Sequence, residues 1–201
     1  MKHISLLFIT LFAAMSMSSC LKNDIEEPPK VNEKEQARID STFDAQEEML
    51  ETYAKTHFTN PEQDKKSGIW YEILAPKTDD TYEYFISNGR FITPTVEMIY
   101  SIKLMNGTVY DETTEKVTEK INYGKLIPVI PYSFFPKEYL LDGQTIYTGL
   151  IPGGLKKGHK IRYIAPSPLC FDNIPQYDDK KVLIVPKDSP LDITIEVISI
   201  K

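Results

Sequence analysis

Tyr100, Tyr110 and Asp111 are the residues of this 201-residue chain whose types and spacing suggest chemistry. Apolar residues alternate through Val96, Met98 and Tyr100 and again through Ile102 and Leu104. Asn106-Gly107 then supplies a tight two-residue turn, and Thr108-Val109-Tyr110 starts a return strand, so the pattern predicts a β-hairpin. An acid follows the second ring directly. Two rings and one carboxylate brought onto neighbouring strands are candidate site residues. Hairpins that end in an aromatic and an acid are also ordinary β-structure, so the hairpin alone leaves both readings open.

Other chemistries lack their residues. Beyond the first turn of sequence only His57 and His159 remain, with no cysteine pair and no His-x-x-x-His, so a zinc site has too few ligands. Ser167 or Cys170 could act as a nucleophile in principle, but no Gly-x-Ser-x-Gly elbow accompanies them. Gly153 to Lys160 lacks the Gly-Lys-Ser/Thr end of a phosphate-binding loop, and its glycines read as turn punctuation. Asp79-Asp80 and Asp178-Asp179 read as solvated loop acids. No cofactor and no metal are expected. A formal charge of -6 offers nothing to nucleic acid.

The elements around the hairpin divide the chain into four parts. Lys2 and His3 precede an apolar stretch from Ile4 to Ala14, and Ser16, Ser18 and Ser19 lead into Cys20, the layout of a secretory leader over residues 1–19. The apolar run is shorter than the roughly 20 residues that span a bilayer. Residues 20–31 are polar and carry two prolines, which suits a flexible tether. Ile39, Phe43, Leu50 and Tyr53 mark an amphipathic helix over residues 32–60 that packs on the following domain, ended where Asn60 meets Pro61. From Ser67 to Lys201 the chain is rich in strands, the best candidates being Ile69 to Leu74, Val96 to Leu104, Thr108 to Asp111, Lys160 to Pro166 and Leu191 to Lys201. Removing residues 1–19 takes the formal charge from -6 to -7. With Cys20 modified, Cys170 is the remaining thiol, so packing rather than a disulfide must hold the domain.

Five segments in order resemble the FKBP-type peptidyl-prolyl isomerases. They are Ser67-Gly68-Ile69-Trp70-Tyr71, the hairpin with Tyr100 and Tyr110-Asp111, Ile151 to Ala165, Pro166-Ser167-Pro168-Leu169-Cys170-Phe171, and Val185 to Val197. The resemblance implies an α+β fold, an FKBP-like antiparallel sheet wrapped on a short helix and preceded by the N-terminal helix, over residues 67–201. It implies that Tyr100, Tyr110, Asp111 and Phe171 are the catalytic set, with Ile121, Ile146, Thr148 and Ile193 lining the substrate pocket. Phe171 stands where the family usually has a tyrosine, and Thr148, counted back from Gly158, where it has the tryptophan that floors the pocket. The short helix is expected within Ile151 to Gly158. A lengthened segment from Leu126 to Asp142 leaves a second choice, in which Ile127-Pro128 or Ile130-Pro131 is the entry to the helix and Tyr132 or Phe134 supplies the floor. A further insertion, Asp79 to Pro94, is expected to add a hairpin at the sheet edge.

The small residues before Cys20 resemble a bacterial lipoprotein signal, which implies a lipid anchor on Cys20 and a place in the cell envelope, at the outer membrane or cell surface. Two functions follow from the resemblances. One is an isomerase, weakened at two positions, that assists folding of exported proteins by acting on their proline-containing segments. The other is a non-catalytic FKBP-like lipoprotein that binds a peptide or envelope partner through the same cleft. The oligomeric state stays open.

Overall fold

The computed structural model describes residues 32–87, 90–122, 126–141 and 143–201. The expected leader, Cys20 and the tether lie outside the described residues.

Apolar alternation along the chain becomes a seven-stranded antiparallel sheet. Its strands are β1 (Glu62–Asp64), β2 (Ile69–Ala75), β10 (Lys160–Ala165), β13 (Leu191–Ile200), β5 (Thr95–Leu104), β6 (Val109–Glu112) and β7 (Val117–Lys120). The spatial order is β1-β2-β10-β13-β5, and the far edge of β5 is shared, by β6 over its C-terminal half and β7 over its N-terminal half. Val96, Met98, Ile102, Ile161, Tyr163, Ile193, Ile195 and Val197 fall on one face of this sheet, and all are buried. Side chains alternate across a pleated strand, so one register aims the whole set inward.

A short helix, α2 (Val129–Phe134), packs into the same buried cluster. Of the two expected places, Ile151 to Gly158 is corrected here and the entry at Ile127-Pro128 is the one the helix takes, with Pro128 at its N-cap. Gly153 and Gly154 follow Pro152 with φ of 72° and 74°, and two consecutive left-handed residues cannot continue a right-handed helix. In α2, by contrast, Pro131 sits in the first turn, where its missing N–H would have had no intrahelical acceptor.

The outer face of the sheet is covered by α1 (Glu33–His57). Asn32 caps its first turn by accepting from the Lys34 N–H at 3.2 Å, Glu33 and Glu35 sit at its N-terminus, and Lys55 sits in its last turn, each sign matched to the helix dipole. Leu50, Tyr53 and Ala54 form a second apolar cluster with Phe58 and Ile164, against which Trp70 and Met105 pack. Arg162 on β10 holds the C-terminal end of the helix, donating to the His57 carbonyl at 3.0 Å and to Asp192, which also accepts from the Tyr53 hydroxyl at 2.8 Å.

Among the described residues the remaining strands form three two-stranded sheets apart from the main one. They are β3 (Ile86–Ser87) with β4 (Arg90–Phe91), β8 (Glu138–Leu141) with β9 (Gln144–Tyr147), and β11 (Gln176–Tyr177) with β12 (Leu183–Val185). The Asp79 to Pro94 insertion therefore forms its own two-stranded unit rather than extending the sheet edge. Its aromatic side chains explain this. Phe91 stacks on Phe135 with centroids 4.5 Å apart and meets Tyr139 at 5.0 Å, while the Tyr84 hydroxyl donates to the Leu155 carbonyl at 2.6 Å. The insertion is committed to the end of α2 and the β8–β9 hairpin.

Candidate functional site

On β5 and β6 the register puts Ile102 opposite Asp111, in line with Ile193, Tyr163 and Tyr71 across the sheet. Directly paired residues share a face, so the Asp111 side chain lies on the inner, α2 side. Tyr100, two residues before Ile102, shares that face, and its hydroxyl donates to Asp111 Oδ2 at 2.7 Å.

Strict alternation would turn Tyr110 away from Asp111. The register slips by one at this point, Asp111 facing Ile102 while Val109 faces Lys103, so Tyr110 is the extra residue of a β-bulge. A bulge re-aims a side chain, and the Tyr110 ring packs on the inner cluster and meets the Phe171 ring edge-on at 5.0 Å. The turn joining the strands is a three-residue loop, Met105 to Gly107, rather than the expected two-residue one. Gly107 has φ of 86°, and its N–H donates to the Leu104 carbonyl.

Tyr100 lies where β5 passes from β6 to β7. Thr113 closes the gap, its N–H donating to the Tyr100 carbonyl at 2.9 Å and its hydroxyl oxygen accepting from the Tyr100 N–H at 3.1 Å. No backbone group of Tyr100 is left unpaired at that break. Burial, and then the bond to Asp111, push the Tyr100 phenol well above its ordinary value of 10.0, so it stays a donor over the whole neutral range. Burial likewise raises Tyr110. Asp111 itself is exposed.

Phe171 follows the short 3₁₀ turn Ser167–Leu169, at the start of the loop that carries β11 and β12. The structure thus brings Tyr100, Tyr110, Asp111 and Phe171 to one end of the inner face. Ile193 lies beside them on β13 and Ile121 just beyond β7, both fully buried in the cluster against which the three rings pack. Val129, Ile130, Tyr132 and Phe134 of α2 belong to that cluster too.

Ile146 and Thr148 are placed elsewhere. Ile146 pairs with Tyr139 in the β8–β9 hairpin, and Thr148 is buried with its hydroxyl donating to the Pro136 carbonyl at 2.8 Å. Gly149 runs so close to Phe135 that a Cβ there would lie 1.8 Å from the Phe135 carbonyl oxygen, which ties the segment after β9 to the residue that caps α2. The family count from Gly158 assumed a helix between the two points. With turns there instead, Thr148 lies away from the site, and Tyr132 and Phe134 of α2 are buried in the inner cluster, the Tyr132 hydroxyl donating to Asp64 on β1 at 3.1 Å.

The alternative nucleophiles are engaged. Ser167 is buried and its hydroxyl accepts from Gln46 at 2.9 Å, and burial raises the Cys170 thiol well above its usual range. His57 Nδ1 lies 3.0 Å from the Tyr53 carbonyl, and His159 Nδ1 accepts from the Lys156 N–H at 2.9 Å. Among the described residues no group of three or more His, Cys, Asp or Glu could hold a metal ion.

Two residues on α1 escaped sequence reasoning. Gln46 fills the seven-residue gap between Phe43 and Leu50 and is 6 % exposed, yet a glutamine on a charged helix gives no apolar signal. Arg38 looks like a solvated helix charge, and only the fold places Asp172 beside it.

No family model matches the chain, and no curated protein matches it by sequence. Solved structures do match. AtFKBP13 superposes with a TM-score of 0.51 at 18 % identity, covering 70 % of this chain and 98 % of that one. A peptidyl-prolyl cis-trans isomerase from Pseudomonas syringae pv. tomato gives 0.48 at 17 % identity, covering 81 % and 95 %. FkpA from Escherichia coli gives 0.46 at 16 % identity, covering 97 % and 80 %. The likeness to AtFKBP13 shows that the fold is of the FKBP type, as the five sequence segments implied.

Proposed function

Starting from the FKBP-type fold, we propose that this chain is a peptidyl-prolyl cis-trans isomerase that binds proline-containing segments between Tyr100, Tyr110, Asp111 and Phe171. One observation carries the proposal. The Tyr100 hydroxyl is bonded to Asp111 on the same face and beside the same cluster as the Tyr110–Phe171 ring pair, so three rings and one oriented carboxylate converge.

Such a site suits a reaction that needs no nucleophile. The barrier to rotation about a peptide bond, roughly 18–20 kcal/mol, comes from amide resonance. Rings that exclude water withdraw solvent stabilisation from the planar, dipolar amide and grip the pyrrolidine ring, and fixed polar groups replace that solvent where the twisted state needs it. In this chain Tyr100 holds the Asp111 carboxylate in one orientation, Tyr110 and Phe171 form two walls, and the buried cluster on which these rings pack, Ile193 and Ile121 among it, supplies the apolar base. Phe171 brings a ring without a hydroxyl, so the site has one donor fewer than a tyrosine there would give, and turnover is weakened rather than absent.

The clients in this proposal are exported proteins. The leader pattern and Cys20 support an envelope address with a lipid anchor, and the uncatalysed rate, tens to hundreds of seconds per turn, makes even modest acceleration useful to a chain folding outside the cell.

The test is isomerisation of a proline peptide by the full chain. Acceleration that a macrocyclic inhibitor of FKBP proteins abolishes supports the enzyme. Saturable peptide binding without acceleration supports the second reading, a binding module, which Phe171 favours by lacking the hydroxyl. Neither acceleration nor binding overturns both.

A further inference from the structure

Phe171 stands at the first foot of a loop that leaves the sheet at Ala165 and returns at Leu191. The backbone closes this loop on itself. The Cys170 and Asp172 N–H groups both donate to the Ser167 carbonyl at 2.8 Å, and the Asp188 N–H donates to the Asp172 carbonyl at 2.8 Å, joining the two feet. Asp172 and Asp188 have φ of 52° and 56°, left-handed conformations that a non-glycine residue holds only where its surroundings impose them.

The surroundings are α1. Gln46 donates from Nε2 to the Ser167 hydroxyl and to the Asp188 carbonyl, both at 2.9 Å, and its Oε1 accepts from the Ser167 N–H at 2.8 Å. One buried amide therefore spends its two donors and its acceptor on both feet of the loop. Two turns earlier, Arg38 donates to both carboxylate oxygens of Asp172, to Oδ1 at 3.0 Å and to Oδ2, while it also bonds Glu35 and lies 4.0 Å from Asp188. A two-pronged guanidinium–carboxylate pair fixes orientation as well as distance. Asp172 is the residue next to Phe171.

We infer that α1 is a working part of the site, with Arg38 and Gln46 as positioning residues that hold the Ser167–Asp188 loop and, through Asp172, the Phe171 ring against Tyr110. This rests on the proposed proline site for its effect on activity, but not for its effect on the loop. Neither residue touches substrate. Their role is to remove the freedom of a loop whose own strands, β11 and β12, form a separate two-stranded sheet.

The experiment compares the full chain with Arg38→Gln, Arg38→Lys, Asp172→Asn and the Arg38→Gln/Asp172→Asn pair. Asparagine tolerates a positive φ, so Asp172→Asn removes the charge without forcing the backbone. Hydrogen exchange of the 167–188 amides is read beside that of β5 and β13, and isomerisation gives kcat and KM separately. Arg38→Gln and Asp172→Asn should each speed exchange in 167–188 by roughly five- to tenfold, the scale of one partly exposed charge-assisted pair, with β5 and β13 unmoved. The double variant should go no further than either single one. Arg38→Lys should recover part of the protection, and KM should rise with kcat nearly unchanged, because a loosened ring binds both amide states less well.

Unchanged exchange in 167–188 overturns the inference, and so does an equal rise in β5 and β13, which would mean a general loss of stability. Faster loop exchange with an unaltered KM in an active enzyme overturns the link to Phe171. Faster loop exchange in a chain that neither binds nor turns over proline peptides leaves Arg38 as the loop's clamp and refutes the proline site instead.

Discussion

Replacing Tyr100 by phenylalanine removes one oxygen and leaves the ring, so it separates the chemistry of the site from its packing. The lost bond, 2.7 Å from the hydroxyl to Asp111 Oδ2, has an ionised acceptor, and such bonds contribute about 1.5–3 kcal/mol when both partners are buried. Asp111 is exposed, and water takes over the acceptor once the hydroxyl is gone, which brings the expected loss to about 1 kcal/mol. At about 1.4 kcal/mol per factor of ten, kcat/KM for a proline peptide should fall roughly fivefold. Stability should change by no more than the same amount, a shift of about 2–4 °C in melting temperature for a chain of this size. The companion variant Asp111→Asn keeps an acceptor for the hydroxyl but loses the charge. If activity depends on the oriented charge, Asp111→Asn should lose at least as much as Tyr100→Phe. Isomerisation kinetics with a proline peptide, alongside thermal unfolding, make the measurement. A folded Tyr100→Phe protein with unchanged kcat/KM would refute the assignment of the pair to the site.

Phe171→Tyr should raise isomerisation by at most about tenfold, the reach of one added neutral hydrogen bond, and a decrease would place the ring outside the site. Leu50→Ala, at a side chain 1 % exposed under α1, should cost about 2–5 kcal/mol in urea unfolding and shift the emission of Trp70, the single tryptophan, which packs on the same cluster. Burial, and then the nearby Lys77 charge, hold the pKa of His159 below its ordinary 6.5, and the Lys156 N–H needs its Nδ1 as an acceptor. The unfolded chain thus binds the proton more readily, so stability should be complete above about pH 6.5 and fall as pH drops below it, and His159→Gln should flatten that part of the curve. Cys20→Ala should release the protein from membranes or leave its leader uncut, whereas a wild type that is entirely soluble and carries no lipid mass would remove the anchor from the proposal.

Much of the fold was legible because its signals are local. The alternation along Val96–Leu104 and Leu191–Ile200 and the spacing of Leu50 and Tyr53 report a buried face directly. The short helix had two candidate places in the sequence, for a physical reason. Val129–Phe134 is buried along its whole length and carries a proline, so it shows no helical periodicity, while Gly153 and Gly154 sit where the family pattern has a helix. Tyr100 and Asp111 could be paired from strand alternation alone. Tyr110 could not, because its inward direction depends on a one-residue slip that period-two reasoning does not contain. Ile146 and Thr148 were chosen by counting across an insertion, and counting fails wherever chain length and spatial position come apart. Arg38 and Gln46 were invisible because their partners lie 134 and 121 residues away and their types suggest solvent.

The bulge at Tyr110 has a consequence for how this sequence can change. Deleting Tyr110 would leave Asp111 opposite Ile102 and set Val109 opposite Lys103 in an unbroken ladder, with every neighbouring hydrogen bond restored to regular spacing. The sheet would gain by it, and a wall of the site would vanish. At this position the smoother sheet and the complete site are competing outcomes, so drift toward greater stability would erase the third ring first. A length change of one residue in the 108–111 segment is therefore a sharper marker of loss of the proposed site among descendants of this chain than a substitution in its core.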